Sequence, residues 1–282
     1  MANEAQQEYW NGEVGERWAE RDDFMARLLE PAAFALLQKV LPARGIDAID
    51  IGCGGGSQTI ALAEKIGVGG SVLGVDISGP LLECARERTI LTKFKRAHVE
   101  FLKADASTYG FTPESVDLLF SRFGVMFFDD PLAAFVNLRQ ALRPDGKLGF
   151  CCWREKSINE WIDLPYQAIR PYIPEQPEED PFAPGPFAFA REEYVAEILG
   201  QAGFSGVEIS PCDVPMSFGP SKDIQAAAKE VTMTGPIARL MADLSDDVRP
   251  SAFYRVVEAL EPNYKDGTVT LSGAFWLVTT SK

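Results

Sequence analysis

Five short apolar runs, at 46–51, 72–77, 99–103, 116–120 and 147–153, alternate with stretches of helical periodicity, and this alternation constrains the fold more than any other feature of the chain. The runs have the length of strands. The segments at 59–66, from Pro80 to about Leu91, and at 131–142 repeat their apolar residues at helical spacing. Gly67 stops the first helix, Pro80 opens the second, and the turn Arg143-Pro144-Asp145-Gly146 precedes the fifth run. A strand that returns to lie parallel beside its predecessor does so through a right-handed crossover. The expected fold is therefore α/β and doubly wound, a mostly parallel sheet with helices on both faces.

Residues 8–41 repeat Phe24, Leu28, Leu29, Phe34, Leu36, Leu37, Val40 and Leu41 at spacings of three and four, and Pro42 closes them. They predict N-terminal helices forming a lid over 1–42, ahead of a core at 43–155. Pro165, Pro171, Pro174, Pro177, Pro181, Pro184 and Pro186 crowd the stretch that follows, too many for a regular helix or a central strand. A loop-rich cover is expected there. Within the same segment, 156–212, a helix at 192–201 and a sixth strand at 206–210 follow. Helical patterns around 224–231, 237–244 and 252–260 predict a cap inserted over 213–270, and the apolar run at 274–279 a last strand within 271–282. The insertion exceeds an ordinary connection, and long insertions at strand ends tend to carry function.

Charge narrows the partners. With 27 Lys and Arg against 41 Asp and Glu, the formal net charge of −14 repels phosphate backbones. Lys93, Lys95, Arg96 and Lys103 come nearest to a basic patch, but they fall in one helix-to-strand passage and read as a solvated connection. Nucleic acid is thus not an expected partner. The five cysteines, Cys53, Cys84, Cys151, Cys152 and Cys212, are odd in number and form no C-x-x-C pair, so neither a disulfide framework nor a zinc site is expected. No basic-then-apolar leader opens the sequence and no window reaches ~18 apolar residues. A cytoplasmic protein without a membrane partner is expected.

The loop Asp50-Ile51-Gly52-Cys53-Gly54-Gly55-Gly56 follows the first run and opens a helix, the context in which a glycine-rich turn becomes a ligand cradle. A tight turn without a ligand would carry the same residues. A dinucleotide would set its pyrophosphate on the helix N-terminus, where the dipole favours anions. Asp50 opposes an anion there and suits a ligand carrying an ammonium and a sulfonium. The Gly52-x-Gly54-x-Gly56 spacing also differs from the G-x-G-x-x-G of dinucleotide folds. Asp76 ends the second run about 20 residues past the loop, where a carboxylate accepts hydrogen bonds from a ribose diol. That position serves nicotinamide and sulfonium cofactors alike. Capping the helix near Pro80 is its bland alternative, for which Ser78 is the better residue. Asp105 ends the third run on the same carboxyl edge, and three acids closing three consecutive strands are hard to explain as solvated surface.

Asp50 to Gly56, Gly74-Val75-Asp76-Ile77-Ser78, Ala104-Asp105-Ala106 and the stretch from Leu142 to Leu148 stand in the order and spacing of motif I, its acidic follower, motif II and the motif III region. Over about 46–155 the chain thereby resembles the class I S-adenosylmethionine-dependent methyltransferases. Glu8-Tyr9-Trp10-Asn11-Gly12 through Gly15-Glu16-Arg17-Trp18 resembles the N-terminal segment of a bacterial branch of small-molecule methyltransferases. The resemblance implies a seven-stranded sheet whose last strand, 274–279, runs antiparallel beside 206–210, and S-adenosyl-L-methionine as cofactor. It implies that Gly52, Gly54 and Gly56 pack against the methionine part, Asp50 supports its ammonium, Asp76 binds the ribose hydroxyls, and Asp105 takes the adenine amino group. Ala106 would supply a backbone amide and Ile77 would lie against the adenine. Ser121 and Arg122 would face the methionine carboxylate and the acceptor.

Methyl transfer from a sulfonium is an in-line displacement, and alignment in a dry pocket supplies much of its catalysis. A dedicated base is optional. Should one act, Asp129, Asp130 and Tyr9 are the candidates near the end of the fourth run, although Asp130 before Pro131 also reads as a helix cap. Asp129 and Tyr9 are the expected catalytic residues. His98, the only histidine, precedes the third run at the opposite edge and reads as structural. Trp10, Trp18, Phe123, Phe127, Phe128, Trp153 and Trp161 are expected around a small, partly apolar acceptor, and each also fits a core position. No compact carboxylate set suggests a divalent metal. A movable cover formed by 1–30 and 213–265 is expected over the acceptor. The alternatives are an NAD(P)-dependent oxidoreductase and a regulatory protein that binds S-adenosylmethionine without turnover.

Overall fold

Each apolar run folds as a strand: β1 (Asp47–Ile51), β2 (Ser71–Asp76), β3 (His98–Lys103), β4 (Val116–Arg122) and β5 (Leu142–Trp153), followed by β6 (Ser205–Phe218), β7 (Tyr264–Lys265) and β8 (Thr268–Ser281). The structure is a computed structural model that describes residues 3–92, 95–174 and 180–282. Lys93 of the basic run and Pro177 of the proline-rich stretch lie outside the described residues. The strands lie in the order β3-β2-β1-β4-β5-β8-β6, with the two-residue β7 beside β8. Strands β1 to β5 pair in parallel, and β8 is antiparallel to β5, with Phe150 opposite Val278. The chain winds outward from β1 through β2 to β3, then restarts on the other side at β4. That reversal opens a crevice at the carboxyl ends of β1 and β4, the position where open α/β sheets take ligands.

The turn at 143–146 lies inside β5 instead of preceding it. Val116 pairs with Leu142 and Leu118 with Lys147, so the four residues between bulge out of the ladder, with Asp145 at φ 64°. Local turn chemistry was satisfied without ending the strand. The helical stretch at 8–41 is four helices, α1 (Glu4–Asn11), α2 (Glu13–Glu20), α3 (Asp22–Leu28) and α4 (Glu30–Val40), and Leu41 closes the last in the left-handed region. Helices α5 (Ser57–Ile66) and α6 (Gly79–Leu91) connect the first three strands, and α7 (Pro131–Ala141) leads into β5. No helix joins β3 to β4; the chain turns around Asp105, whose carbonyl accepts the N–H groups of Thr108 and Tyr109.

The proline-rich stretch departs from expectation. It contains α8 (Glu160–Ile169), with Pro165 inside the helix. The helix buries Trp161, Ile162, Pro165 and Ile169 along one side, and that burial outweighs the single hydrogen bond a proline removes. Beyond it come α9 (Glu192–Gln201), α10 (Ile224–Thr232), α11 (Gly235–Ala242) and α12 (Arg249–Leu260).

Two units divide the chain. One comprises Met1–Trp153, Phe182–Cys212 and Phe275–Lys282; the other comprises Arg154–Pro181 and Asp213–Ala274. The segment 156–212, expected as a proline-rich cover followed by a helix and a sixth strand, falls in both: 156–181 lies in the unit of the inserted helices and 182–212 in the unit of the sheet. In the first unit Phe135 gathers Phe150, Phe189 and Phe204 at ring distances of 5.8, 6.1 and 6.4 Å, an aromatic core under β5. In the second, buried Asn159 donates to the carbonyls of Arg154, Glu155 and Ala274 and accepts from Trp161 Nε1 and the Ala274 N–H. One side chain thereby satisfies several buried main-chain groups. Among the described residues no helix is long and apolar enough to cross a membrane.

Candidate functional site

The loop at 52–56 sits at the mouth of the crevice. Gly52, Gly54 and Gly56 have φ of 66°, 52° and 76°, the left-handed region that a side chain enters only at a cost. Packing also demands two of them. A Cβ on Gly52 would stand 2.7 Å from Gly124 Cα, and one on Gly56 would stand 2.8 Å from Ala85 Cβ. At Gly54 the nearest atom would be Leu81 Cδ1 at 4.0 Å, so that stretch of backbone is open to a ligand.

The loop's amides turn inward. Gly52 and Cys53 donate to the Val75 carbonyl at 2.8 and 3.2 Å, Gly54 donates to Asp76 Oδ2 at 2.8 Å, and Gly56 donates to the Cys53 carbonyl at 3.0 Å. An anion-binding loop would aim these groups outward. Here the side chains beside the loop include the acids Asp50 and Asp76.

Asp50 is buried in β1, where Thr59 Oγ1 of α5 donates to its Oδ2 at 2.6 Å. Its Oδ1 is buried with no partner. Burial pushes the Asp50 carboxyl up to about 7, against the Thr59 hydrogen bond and the positive charge of Arg122. Asp76 accepts the Ser78 N–H at 2.8 Å on Oδ1 and the Gly54 N–H on Oδ2; burial raises its pKa and these hydrogen bonds oppose the rise. A carboxylate has about four acceptor sites, so two stay free for hydroxyls. Asp105 accepts the N–H and the hydroxyl of Ser107 on Oδ1, at 2.9 and 2.6 Å, while its Oδ2 is buried without a partner. The Ala106 N–H has no acceptor among the described residues.

Arg122 ends β4 on the same sheet face as Asp50, two residues beyond Phe120, which pairs with Asp50. Burial lowers its pKa, and the charges of Asp50 and Asp22 oppose that. A guanidinium stays charged regardless. It makes no hydrogen bond or ion pair among the described residues. Asp50 and Arg122 therefore carry opposite charges beside one loop without bridging each other. Gln58, the second residue of α5, is buried with both amide atoms unpartnered. Sequence reasoning missed it, because a glutamine in a helix's first turn reads as solvated. Ser121, expected at the methionine carboxylate, is fully buried; its hydroxyl donates to the Ile51 carbonyl at 2.8 Å and accepts the Gly124 N–H at 3.2 Å. Its hydroxyl is spent holding β4 to β1, so it shapes the crevice from within.

The N-terminal segment closes over the strand ends. Asn11 donates to the Ile77 carbonyl at 2.9 Å and accepts from the Gly79 N–H at 3.0 Å and Lys103 Nζ at 2.8 Å. The Trp10 carbonyl accepts from Ser78 Oγ at 2.8 Å, and the main-chain N–H of Asn3 donates to Asp129. Asp129, expected as a base, thus anchors α1. Tyr9 is exposed, with its ring edge-on to Trp10 at 5.4 Å. Asn3 lies ahead of the helical pattern and does not stand out in the sequence, and Asn11 enters there only as part of the N-terminal segment, with no role of its own.

The expected pocket aromatics separate into groups. Trp10 meets Trp18 at 5.6 Å and Phe127 at 5.4 Å, both edge-on. Phe123, at φ 61°, stacks on Trp153 at 4.1 Å, and both meet Phe275 edge-on within the core. Phe128 packs on Phe135, and Trp161 lies in the second unit beside Gly235. His98 opens β3, exposed and paired with Glu100 at 2.9 Å. Asp130 caps α7 by accepting the Ala133 N–H at 3.0 Å, and Ser78 caps α6 through Leu81. Burial pushes the Cys151 thiol up to about 12 and those of Cys53 and Cys152 well above the ordinary thiol range, so none of the three is an activated nucleophile.

Residues 49–150 match a family model described as a methyltransferase domain. Nocamycin O-methyltransferase of Saccharothrix syringae is 33% identical over 123 residues, 42% of this chain and 42% of that protein. Aklanonic acid methyltransferase DauC of Streptomyces sp. strain C5 is 31% identical over 141 residues, 48% of this chain and 63% of that protein. The matches thus span less than two thirds of either relative. A phosphoethanolamine N-methyltransferase from Haemonchus contortus, solved with S-adenosylhomocysteine, aligns with a TM-score of 0.53 at 21% identity over 89% of this chain and 52% of its own. Residues 49–150, which hold the acid-flanked glycine loop, thus match a methyltransferase domain, and the solved structure, at 21% identity, shows the likeness of the fold.

Proposed function

We propose that the protein transfers the methyl group of S-adenosyl-L-methionine to a small, partly apolar acceptor. The observation that carries this is the polarity of the loop: four amides are consumed internally, and an unpartnered carboxylate oxygen of Asp50 and the unpartnered guanidinium of Arg122 flank it. A pyrophosphate would meet a carboxylate and find few free amides, which disfavours a nicotinamide dinucleotide. A zwitterionic amino acid end suits the pair, with its ammonium on Asp50 and its carboxylate on Arg122. Asp76 holds the ribose hydroxyls with its two free acceptor sites. Asp105 Oδ2 and the Ala106 N–H take the adenine edge, and Ile77 lies along the ring.

When bound, the cofactor supplies an electrophilic methyl on a sulfonium. The chain's own part is to hold that group in line with the acceptor and to exclude water. Trp10, Trp18 and Phe127 supply an apolar wall for the latter. Asp129 is engaged by Asn3 and Tyr9 is exposed, so catalysis rests on alignment more than on a base. The two relatives named for nocamycin and aklanonic acid support a small-molecule acceptor.

Titration calorimetry with S-adenosylhomocysteine tests the assignment. Binding is expected, with Asp76→Ala weakening it by at least about a hundredfold through loss of two charge-assisted hydrogen bonds. Absence of binding by the unaltered protein, or equal binding by Asp76→Ala, refutes it.

A further inference from the structure

Gly55 is the glycine of the loop that the backbone does not require. Gly52, Gly54 and Gly56 all have positive φ, and Gly55 does not. An alanine would adopt its conformation without strain. What forbids a side chain there is one group: a Cβ on Gly55 would overlap the carboxylate of Asp22, and its three nearest atoms all belong to that side chain.

Asp22 opens α3, outside the stretch at 49–150 that the family model matches. Its Oδ2 is paired with Arg88 Nη2 of α6, and the same nitrogen lies 2.9 Å from Asp23 Oδ1. Arg88 Nε donates to the Gly55 carbonyl at 3.0 Å. A single guanidinium therefore joins α6, the loop and the start of α3. The side chains of Asp22 and Arg88 are only 13% and 25% exposed, so water screens the pair far less than a surface ion pair.

We infer that Asp22 and Arg88 are positioning residues of the cofactor site, holding the Gly55 peptide in the ligand-ready conformation and coupling it to the seating of the N-terminal segment. This rests on the cofactor assignment made above. A loop already ordered by the protein spares the ligand the entropy of ordering it. With the pair broken, the Gly55 peptide and the adjoining Gly54 backbone, the part open to a ligand, are free to sample other conformations, and binding must select the competent one.

The test is a double-mutant cycle on the full chain. Affinity for S-adenosylhomocysteine is measured by calorimetry and amide exchange of 13–28 and 52–57 by mass spectrometry, for Gly55→Ala, Asp22→Ala and the combination. Each single variant is expected to bind about tenfold more weakly, the scale of coupling between contacting residues. The combination should be no weaker than Asp22→Ala, because the added methyl then has nothing to meet. Exchange should quicken in both segments together. Arg88→Lys, which keeps the charge facing Asp22 and loses the Nε bond to Gly55, should retain part of the affinity that Arg88→Gln loses. Asp22→Asn serves where Asp22→Ala fails to fold. Additive losses in the combination, or unchanged affinity in the Asp22 variants while the unaltered protein binds, overturn the inference alone. No binding by the unaltered protein overturns the cofactor assignment and this inference with it.

Discussion

Asp50→Asn separates two jobs that one carboxylate performs. Burial raises the Asp50 pKa to about 7 from an ordinary 3.8, so the folded protein holds this proton more tightly than the unfolded chain. The carboxyl costs little below about pH 4, where both states are protonated, and destabilises the fold progressively until the pH passes its folded value. The gap corresponds to roughly 4 kcal/mol above pH 7. Asparagine does not titrate. Its amide keeps an acceptor for Thr59 and leaves a buried N–H₂ unpartnered, costing about 1–3 kcal/mol at every pH. The absolute comparison is therefore offset, but its pH dependence is not. Between pH 5 and pH 8 the variant should gain roughly 2–3 kcal/mol on the parent, as the parent pays for ionising a buried group. In a chain of this size that widens the difference in melting temperature by roughly 5–10 °C. Thermal melts followed by circular dichroism at unit pH intervals measure it. The variant should also bind S-adenosylhomocysteine about tenfold or more weakly at pH 8, having lost the charge for the ammonium, while the parent's affinity declines below pH 7. Parallel melting profiles across the pH range would refute the burial of an unpaired carboxylate, and equal affinities at pH 8 would refute its role as the ammonium's partner.

Arg122→Met keeps most of the side chain's length and removes its charge, so it should weaken S-adenosylhomocysteine binding by about tenfold or more without lowering thermal stability, since the guanidinium has no partner among the described residues. Equal affinity by calorimetry would remove Arg122 from the site. Phe123→Ala empties a stack that is 8% exposed on one side and 6% on the other, and should cost about 3–5 kcal/mol in urea unfolding. A loss below about 1 kcal/mol would mean that the ring lines an open pocket instead of the core.

Strands β1, β4 and β5 were legible because most of their residues are buried, which leaves short apolar runs that need no partner to identify; β3, at the sheet's edge with His98, Glu100 and Lys103 exposed, was legible from the alternation around it. The loop at 50–56 and the acids Asp76 and Asp105 were legible for a related reason: they sit where strands end, and strand ends can be counted from the runs. The proline-rich stretch was misjudged because helix breaking is a local tendency, and α8 is paid for by the burial of Trp161 and Ile169, which only a neighbouring surface can supply. The turn at 143–146 was identified correctly and then lost to the ladder, since pairing on both sides of the bulge spans it.

What the amino-acid order determined alone is the doubly wound core and the edge on which its acids lie, since periodicity and burial act within a few residues of each other. The tertiary structure decided what those groups face. It turned the loop's amides inward, left one oxygen of Asp50, one of Asp105, the Gln58 amide and the Arg122 guanidinium without partners among the described residues, occupied Ser121 and Asp129 elsewhere, and brought Asp22 and Asn11 onto residues 33 and 66 positions away. Such contacts depend on the direction of side chains from separate elements, and no spacing within one sequence encodes that direction.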